Sequence, residues 1–235
     1  MNLFKTHAPQ PMARTLRVLA RLLGYPDADL RAHLPELRAA LHAEQAVSAQ
    51  RLAELDALIG TLARRDALDV EGDYVQLFDS GRRTALHLFE HVHGDSRERG
   101  PAMIDLARTY EQAGVYLAAG EMPDHLPVVL EYASTQPPRE ARAFLAEMAH
   151  ILNVILAALA KRASRYASVP GALIELAGET ARIVAVPDDV PIDEAWDEPL
   201  AFDGCSSLGQ AKPGQPGQPQ PIQIVRRSAD QGVRQ

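Results

Sequence analysis

Cysteine is nearly missing from this chain: Cys205 is the one thiol in 235 residues. No disulfide can form within the chain, and no set of thiolates for an iron–sulfur cluster or a structural zinc can be assembled from it alone. A reducing compartment fits that usage. Aromatic residues are scarce at 5%, which disfavours sheets built on aromatic and β-branched side chains and favours helices packed through small and straight-chain ones. No apolar run approaches the roughly 20 residues that a membrane-crossing helix needs. Basic charge is also in short supply: 24 Lys and Arg against 31 Asp and Glu leave a net charge of −7. That excludes a general nucleic-acid binder, whose basic surface must displace counterions from phosphates.

The chain does have enough apolar residues, 46%, for a sizeable core, and their spacing is helical. Leu16, Leu19, Ala20 and Leu23 share one face while Arg14, Arg17 and Arg21 lie on another, and Gly24-Tyr25-Pro26 supplies a stop with a C′ glycine. The arginines interrupt any secretory apolar core; an amphipathic first helix is the expectation and a transit peptide the alternative. Helical period continues over 29–43 and 48–65, and a shorter helix is expected from Asp69 to Phe78. The histidine-bearing segment predicts a helix from about Thr84 to Gly94. The next helix, capped by Asp95 or Ser96 with Pro101 in its first turn, is expected to run to about Ala119. Its inward stripe would be Met103, Leu106, Ala107, Tyr110, Ala113, Gly114 and Leu117. Phe144 to Ala160, apolar nearly all round except for Glu147, His150 and Asn153, predicts a buried central helix, and a last helix is expected over 170–185.

These patterns predict an all-α fold: a single compact helical domain over residues 1–186. An acidic segment follows over 187–205, where Asp188, Asp189, Asp193, Glu194, Asp197, Glu198 and Asp203 occur with no basic residue. Val190, Ile192, Trp196, Leu200 and Phe202 give it apolar anchors, for docking on its own domain or on a partner. Residues 206–235, rich in Pro, Gly and Gln, are expected to form a flexible tail, since they cannot bury enough apolar surface to offset chain entropy.

Two dense segments carry the chemistry. YVQLFDSGRRTALHLFEHVHGDSRERG, residues 74–100, holds three of the eight histidines at His87, His91 and His93. Residues 87–91 match H-x-x-E-H, so one reading is a zinc-dependent peptidase with His87 and His91 on one helical face and Glu90 as base. Two histidines do not complete a zinc site, and no strand is evident to hold an extended substrate. A second reading makes the histidines half-buried residues bonded to their neighbours. A third makes them, with Arg82, Arg83, Asp79 and Glu90, the polar wall of a groove that takes a peptide helix, with Phe78 and Phe89 as anchors. The other segment, EMPDHLPVVLEY at 121–132, predicts a helix start with Asp124 as N-cap and Pro127 in the first turn. Asp124 beside His125 also pairs an acceptor with a titratable donor.

Together, the 74–100 and 121–134 segments resemble the NarJ-type assembly chaperones of respiratory nitrate reductase, within the broader TorD-like group. LRVLARLLGYPDADL at the start, DEAWDEPLAFDGC and KPGQPGQPQPIQIVRR extend the likeness over almost the whole chain. The resemblance implies a cytoplasmic helical chaperone, not an enzyme. Its partner would be the catalytic subunit of nitrate reductase, recognised through its N-terminal peptide and held competent for molybdenum cofactor and iron–sulfur insertion before membrane assembly. The cofactors would belong to the client and none to the chaperone; cofactor-delivery proteins are further candidate partners, nucleic acid and direct membrane insertion are not. The family's signature regions correspond here to Tyr74 through Phe78 and Pro123 through His125. The candidate client-peptide residues are therefore Tyr74, Phe78, Asp124 and His125 from the resemblance. Asp79, His87, Phe89, Glu90 and His91 join them by density and adjacency. The expected binding mode is an amphipathic client helix in an apolar groove, its basic residues meeting acidic ones of this chain.

Overall fold

A computed structural model describes residues 11–80, 83–94 and 96–182. The acidic segment 187–205, the 206–235 tail, Arg82 and Asp95 lie outside the described residues, as does the boundary expected at 186. Within the described residues there are ten α-helices, one 3-10 turn and no strand beyond an isolated bridge, in agreement with the all-α expectation. The helices are α1 (Ala13–Leu22), α2 (Ala28–Glu44), α3 (Ala49–Arg64), α4 (Ala67–Phe78), α5 (Leu88–Val92), α6 (Arg99–Gln112), α7 (Leu126–Thr135), α8 (Pro138–Glu147), α9 (Ala149–Lys161) and α10 (Ser168–Leu176).

α1 is the central element. Leu16, Leu19, Leu22 and Leu23 are almost fully buried, because α7 covers one side of the helix and α2 another. α7 presents Val129, Leu130 and Ala133 to the interior. Arg17 lies on the side of α1 that reaches α7, and its Nε donates to Ser134 Oγ at 3.1 Å. The first turn of α1 lacks an acidic residue of its own; Glu44, at the end of α2, accepts from Thr15 N at 2.6 Å and Arg14 N at 3.2 Å. This supplies the negative charge that a helix N-terminus favours. α3 packs on α2 and α10, and α10 on α9. The start of α3 is tied to α10 by Ser48, whose backbone N–H and hydroxyl both donate to Glu175.

Several expected boundaries move, each for a local reason. Gly24 ends α1 but is not among the residues with positive φ; its N–H donates to Arg21 O at 3.1 Å in a plain turn. The expected 84–94 helix shrinks to α5, because residues 85–87 are drawn out to pair with the stretch before α7. Gly94, at φ 51°, does mark the end of that segment. α6 stops at Gln112 instead of 119, where Gly114 takes φ 76° and Val115 N turns back to Tyr110 O at 2.9 Å. Of its expected inward stripe only Tyr110 is buried. The central helix expected over 144–160 is two helices, α8 and α9, bent by 66° at Met148. α10 ends at Leu176 rather than 185, and Gly178 at φ 77° follows it.

Among the described residues no single helix is long and apolar enough to cross a membrane. α9 buries Ile151, Leu152, Ile155 and Leu159 inside the protein.

Leu19 is completely buried between α1 and its neighbours, so Leu19→Ala should lower unfolding stability by about 2–5 kcal/mol through lost transfer energy and the cavity left behind. Urea unfolding of the two proteins measures it, and a loss below about 1 kcal/mol would contradict the central place given to α1.

Candidate functional site

The two dense segments meet. Residues 86–88 run antiparallel to residues 124–126, with Leu88 N donating to Asp124 O at 3.0 Å and Leu126 N to Leu86 O at 2.8 Å. His87 and His125 are therefore directly opposed, and directly opposed residues project their side chains to the same side. Their rings stack, centroids 5.0 Å apart and planes 25° from parallel.

Asp124 turns inward and has no exposed surface. Its Oδ1 lies 3.3 Å from His87 Nδ1, and its Oδ2 accepts from Phe89 N at 3.2 Å and lies 3.7 Å from Arg99 Nη2. The expected role of Asp124 as N-cap of α7 is thus corrected. The residue at that cap is His125, with no side-chain bond, while Asp124 satisfies the start of α5 with both its carbonyl and its carboxylate. Arg99 also reaches Glu90 Oε1 at 3.4 Å, so one guanidinium joins α6 to both carboxylates. From the other side, Tyr110 is buried and donates its hydroxyl to Pro123 O at 2.8 Å, fixing the Pro-Asp-His turn to α6.

This geometry separates the two histidines electrostatically. The Asp124 hydrogen bond and charge hold His87 above the ordinary imidazole range, against a smaller opposing effect of burial. Burial lowers His125, and the neighbouring His87 lowers it further. Burial alone would raise the carboxyl of Asp124, but the bonds from His87 and the Phe89 N–H, with the charges of His87 and Arg99, leave it below its usual value.

His87 sits before α5 in an extended conformation, φ −86° and ψ 106°, whereas His91 lies within the helix and bonds through Nε2 to Ala85 O at 2.9 Å. The expectation that His87 and His91 project from one helical face is overturned, and with it the geometric basis of the zinc-peptidase reading. Among the described residues, no three His, Cys, Asp or Glu side chains gather as a metal site would require. Phe89 and His93 make an edge contact at 5.4 Å, and His87, Phe89, Glu90, His91 and His125 all keep part of their surface exposed.

The other candidates belong to a different cluster. Tyr74 and Phe78 are buried on the inner side of α4, with ring centroids 4.8 Å apart, and both pack on Tyr166, at 6.1 and 5.1 Å. The Tyr74 hydroxyl donates to Leu23 O at 2.8 Å, and burial, aided by the charge of Asp79, pushes its pKa up to about 12. Phe78, expected as a groove anchor, is therefore a core residue; Asp79 is exposed just beyond the helix. Arg99 and Tyr110 were not singled out as site residues from the sequence. Arg99 stands near the end of the 74–100 segment and Tyr110 beyond it, and only the fold places them against the Pro-Asp-His turn.

A family model described as nitrate reductase delta subunit matches residues 25–169, which include both segments of the site. The chain belongs to that family. It is 40% identical over 197 residues to the nitrate reductase molybdenum cofactor assembly chaperone NarJ of Escherichia coli K12, covering 84% of each chain. It is 31% identical over 156 residues to the probable NarJ of Bacillus subtilis, spanning 66% of this chain and 83% of that one. A solved structure from Archaeoglobus fulgidus, titled as a redox enzyme maturation protein, shares the fold. Its TM-score is 0.50 at 23% identity, and the match covers 76% of this chain and 99% of that one.

The titrations have definite signs. Stabilisation from the raised His87 is complete below its unfolded value near 6.5 and fades as pH climbs through the folded value. His125 acts oppositely, costing stability as pH falls below about 6.5. The contribution of Asp124 is present above about 3.8 and lost as pH falls through its lowered folded value. Histidine NMR should show His87 titrating above His125, and Asp124→Asn should bring His87 down; coincident titrations would contradict this geometry. Asp124→Ala, which strips two bonds from a buried carboxylate network, should cost about 2–4 kcal/mol.

Proposed function

We propose that this protein is a nitrate reductase molybdenum cofactor assembly chaperone. In this reading it acts in the cytoplasm, binds the N-terminal peptide of the catalytic subunit, and keeps that subunit competent for molybdenum cofactor and iron–sulfur insertion before membrane assembly. Membership of the nitrate reductase delta subunit family, with relatives named as assembly chaperones over most of the chain's length, is the observation that carries the proposal. The cofactors are the client's, and proteins that deliver them are further partners.

Within this reading the candidate residues divide by exposure. His87, Phe89, Glu90, His91, His125 and Asp79 have surface to offer a peptide. Asp124, Tyr74 and Phe78 are buried and act through the elements they fix. The α5 front is small and its carboxylate–histidine–arginine network is shared among three elements. A client helix laid against it exchanges hydrogen bonds with groups whose positions are already determined, which limits the entropy lost on binding. A basic peptide is favoured by Glu90 and Asp79 and opposed by a protonated His87.

Calorimetric titration with a synthetic peptide from the start of the nitrate reductase catalytic subunit tests the proposal, a scrambled peptide serving as control. Equal binding of the two would defeat it. Affinity should weaken as pH falls from 8 to 6, as His87 gains charge beside Asp124, Glu90, Arg99 and His125. His87→Gln should flatten that dependence, and a parent protein with pH-independent affinity would remove His87 from the interface. Alanine at His91 should weaken binding several-fold without changing the thermal midpoint by more than a few degrees.

A further inference from the structure

Gly72 stands in the middle of α4, where glycine costs about 1 kcal/mol relative to alanine. Among the described residues nothing accounts for it. Its φ is not positive, and a Cβ built there meets no atom within 4 Å. The residues on either side of it along the same helical face, Leu68 and Val75, are 78% and 41% exposed, and Tyr25 beside them is 47% exposed. With Glu71 and Gln76 these residues line a shallow groove of about 390 Å³. Large apolar side chains left in water around a glycine with open space above it are the features of a helix crossing whose second helix is absent. A missing Cβ lets a partner backbone approach closely, and the flanking apolar side chains close over it.

The border of this face is acidic. Asp66, Asp69, Glu71, Asp73 and Asp79 accompany α4 without a basic residue on the helix itself. Arg65 bonds to Asp73 and lies 4.0 Å from Asp69, and Glu71 accepts from the Tyr25 hydroxyl at 3.0 Å. The chain's own acidic segment between Pro187 and Cys205 is mismatched to such a border by charge.

We propose that the outer face of α4 is a docking surface for a basic amphipathic helix that crosses α4 at Gly72, its apolar side over Leu68 and Val75 and its cations at Asp69 and Asp79. The proposal rests on the chaperone reading and adds to it: the client helix is given an apolar seat on α4. It also gives Tyr74 and Phe78 a role consistent with their burial, since they anchor the inner side of the helix whose outer side does the binding.

The test uses the full chain and three labelled peptides. One is the catalytic-subunit N-terminal peptide, another a designed amphipathic helix with a Lys/Arg polar face, and the third the same helix with Glu in place of each cation. Gly72→Ala should raise the thermal midpoint by about 2–4 °C while weakening the first two peptides. Gly72→Leu and Leu68→Asp should each weaken them at least tenfold. The Glu-faced helix should bind at least tenfold more weakly than its basic counterpart; equal binding overturns the charge assignment. If the parent binds the catalytic-subunit peptide and Gly72→Leu binds it equally well, this docking surface is wrong and the chaperone reading stands. If the parent binds no catalytic-subunit peptide, both fail. A Gly72→Leu protein with a lowered midpoint and unchanged affinity would assign the face to another segment of this chain and overturn the proposal.

Discussion

A carboxylate removed entirely from water has to be supplied with hydrogen bonds and compensating charge, or it gives up its own charge. Asp124 is that carboxylate, and much of the site follows from satisfying it. The Phe89 N–H, the imidazole of His87 and the guanidinium of Arg99 converge on it from the start of α5 and from α6, and its own carbonyl takes the Leu88 N–H. Each of these partners fixes a backbone segment. The bridge between residues 86–88 and 124–126 sets the stacking of His87 on His125, and the position of Arg99 brings Glu90 into the same network. Tyr110 closes the arrangement by holding the carbonyl that precedes Asp124.

This dependence explains why a histidine-rich run that matches a metal-binding pattern is arranged differently in space. A helix extended back to Thr84 would place His87 and His91 together, one turn apart. The buried Asp124 instead draws His87 into an extended conformation before the helix begins, and Ala85 O engages His91. The polar groups are directed to backbone and carboxylate partners, in the way buried polar groups generally are. His87 and His91 are left partly exposed, each with one ring nitrogen committed.

The helical class and the succession of helices through α4 could be anticipated from residue patterns, because amphipathic periodicity and family resemblance both carry that information. What escaped the pattern has identifiable causes. Residues 144–160 are apolar nearly all round, and a sequence without a polar face has no phase to mark the 66° bend at Met148. In α6, Met103, Leu106 and Ala107 recur at helical spacing yet only Tyr110 is buried, because spacing shows that a stripe exists but not that another element covers it. Asp124 looked like a local N-cap since capping is usually sequence-local; its real helix begins far upstream in the chain. Tyr74 and Phe78 were expected to contact the client, and the fold places both in the core.

The packing of α1 on α7 has a consequence for the protein's own biosynthesis. Arg17 and Ser134, bonded across that interface, are 117 residues apart in the chain. At translation rates of about 5–20 residues per second, the leucine-rich first helix waits on the order of ten seconds before its principal cover is made. During that interval the nascent protein exposes an apolar helix flanked by arginines. A protein proposed to shield an immature subunit therefore begins its own life with the same vulnerability, and its later helices are what relieve it.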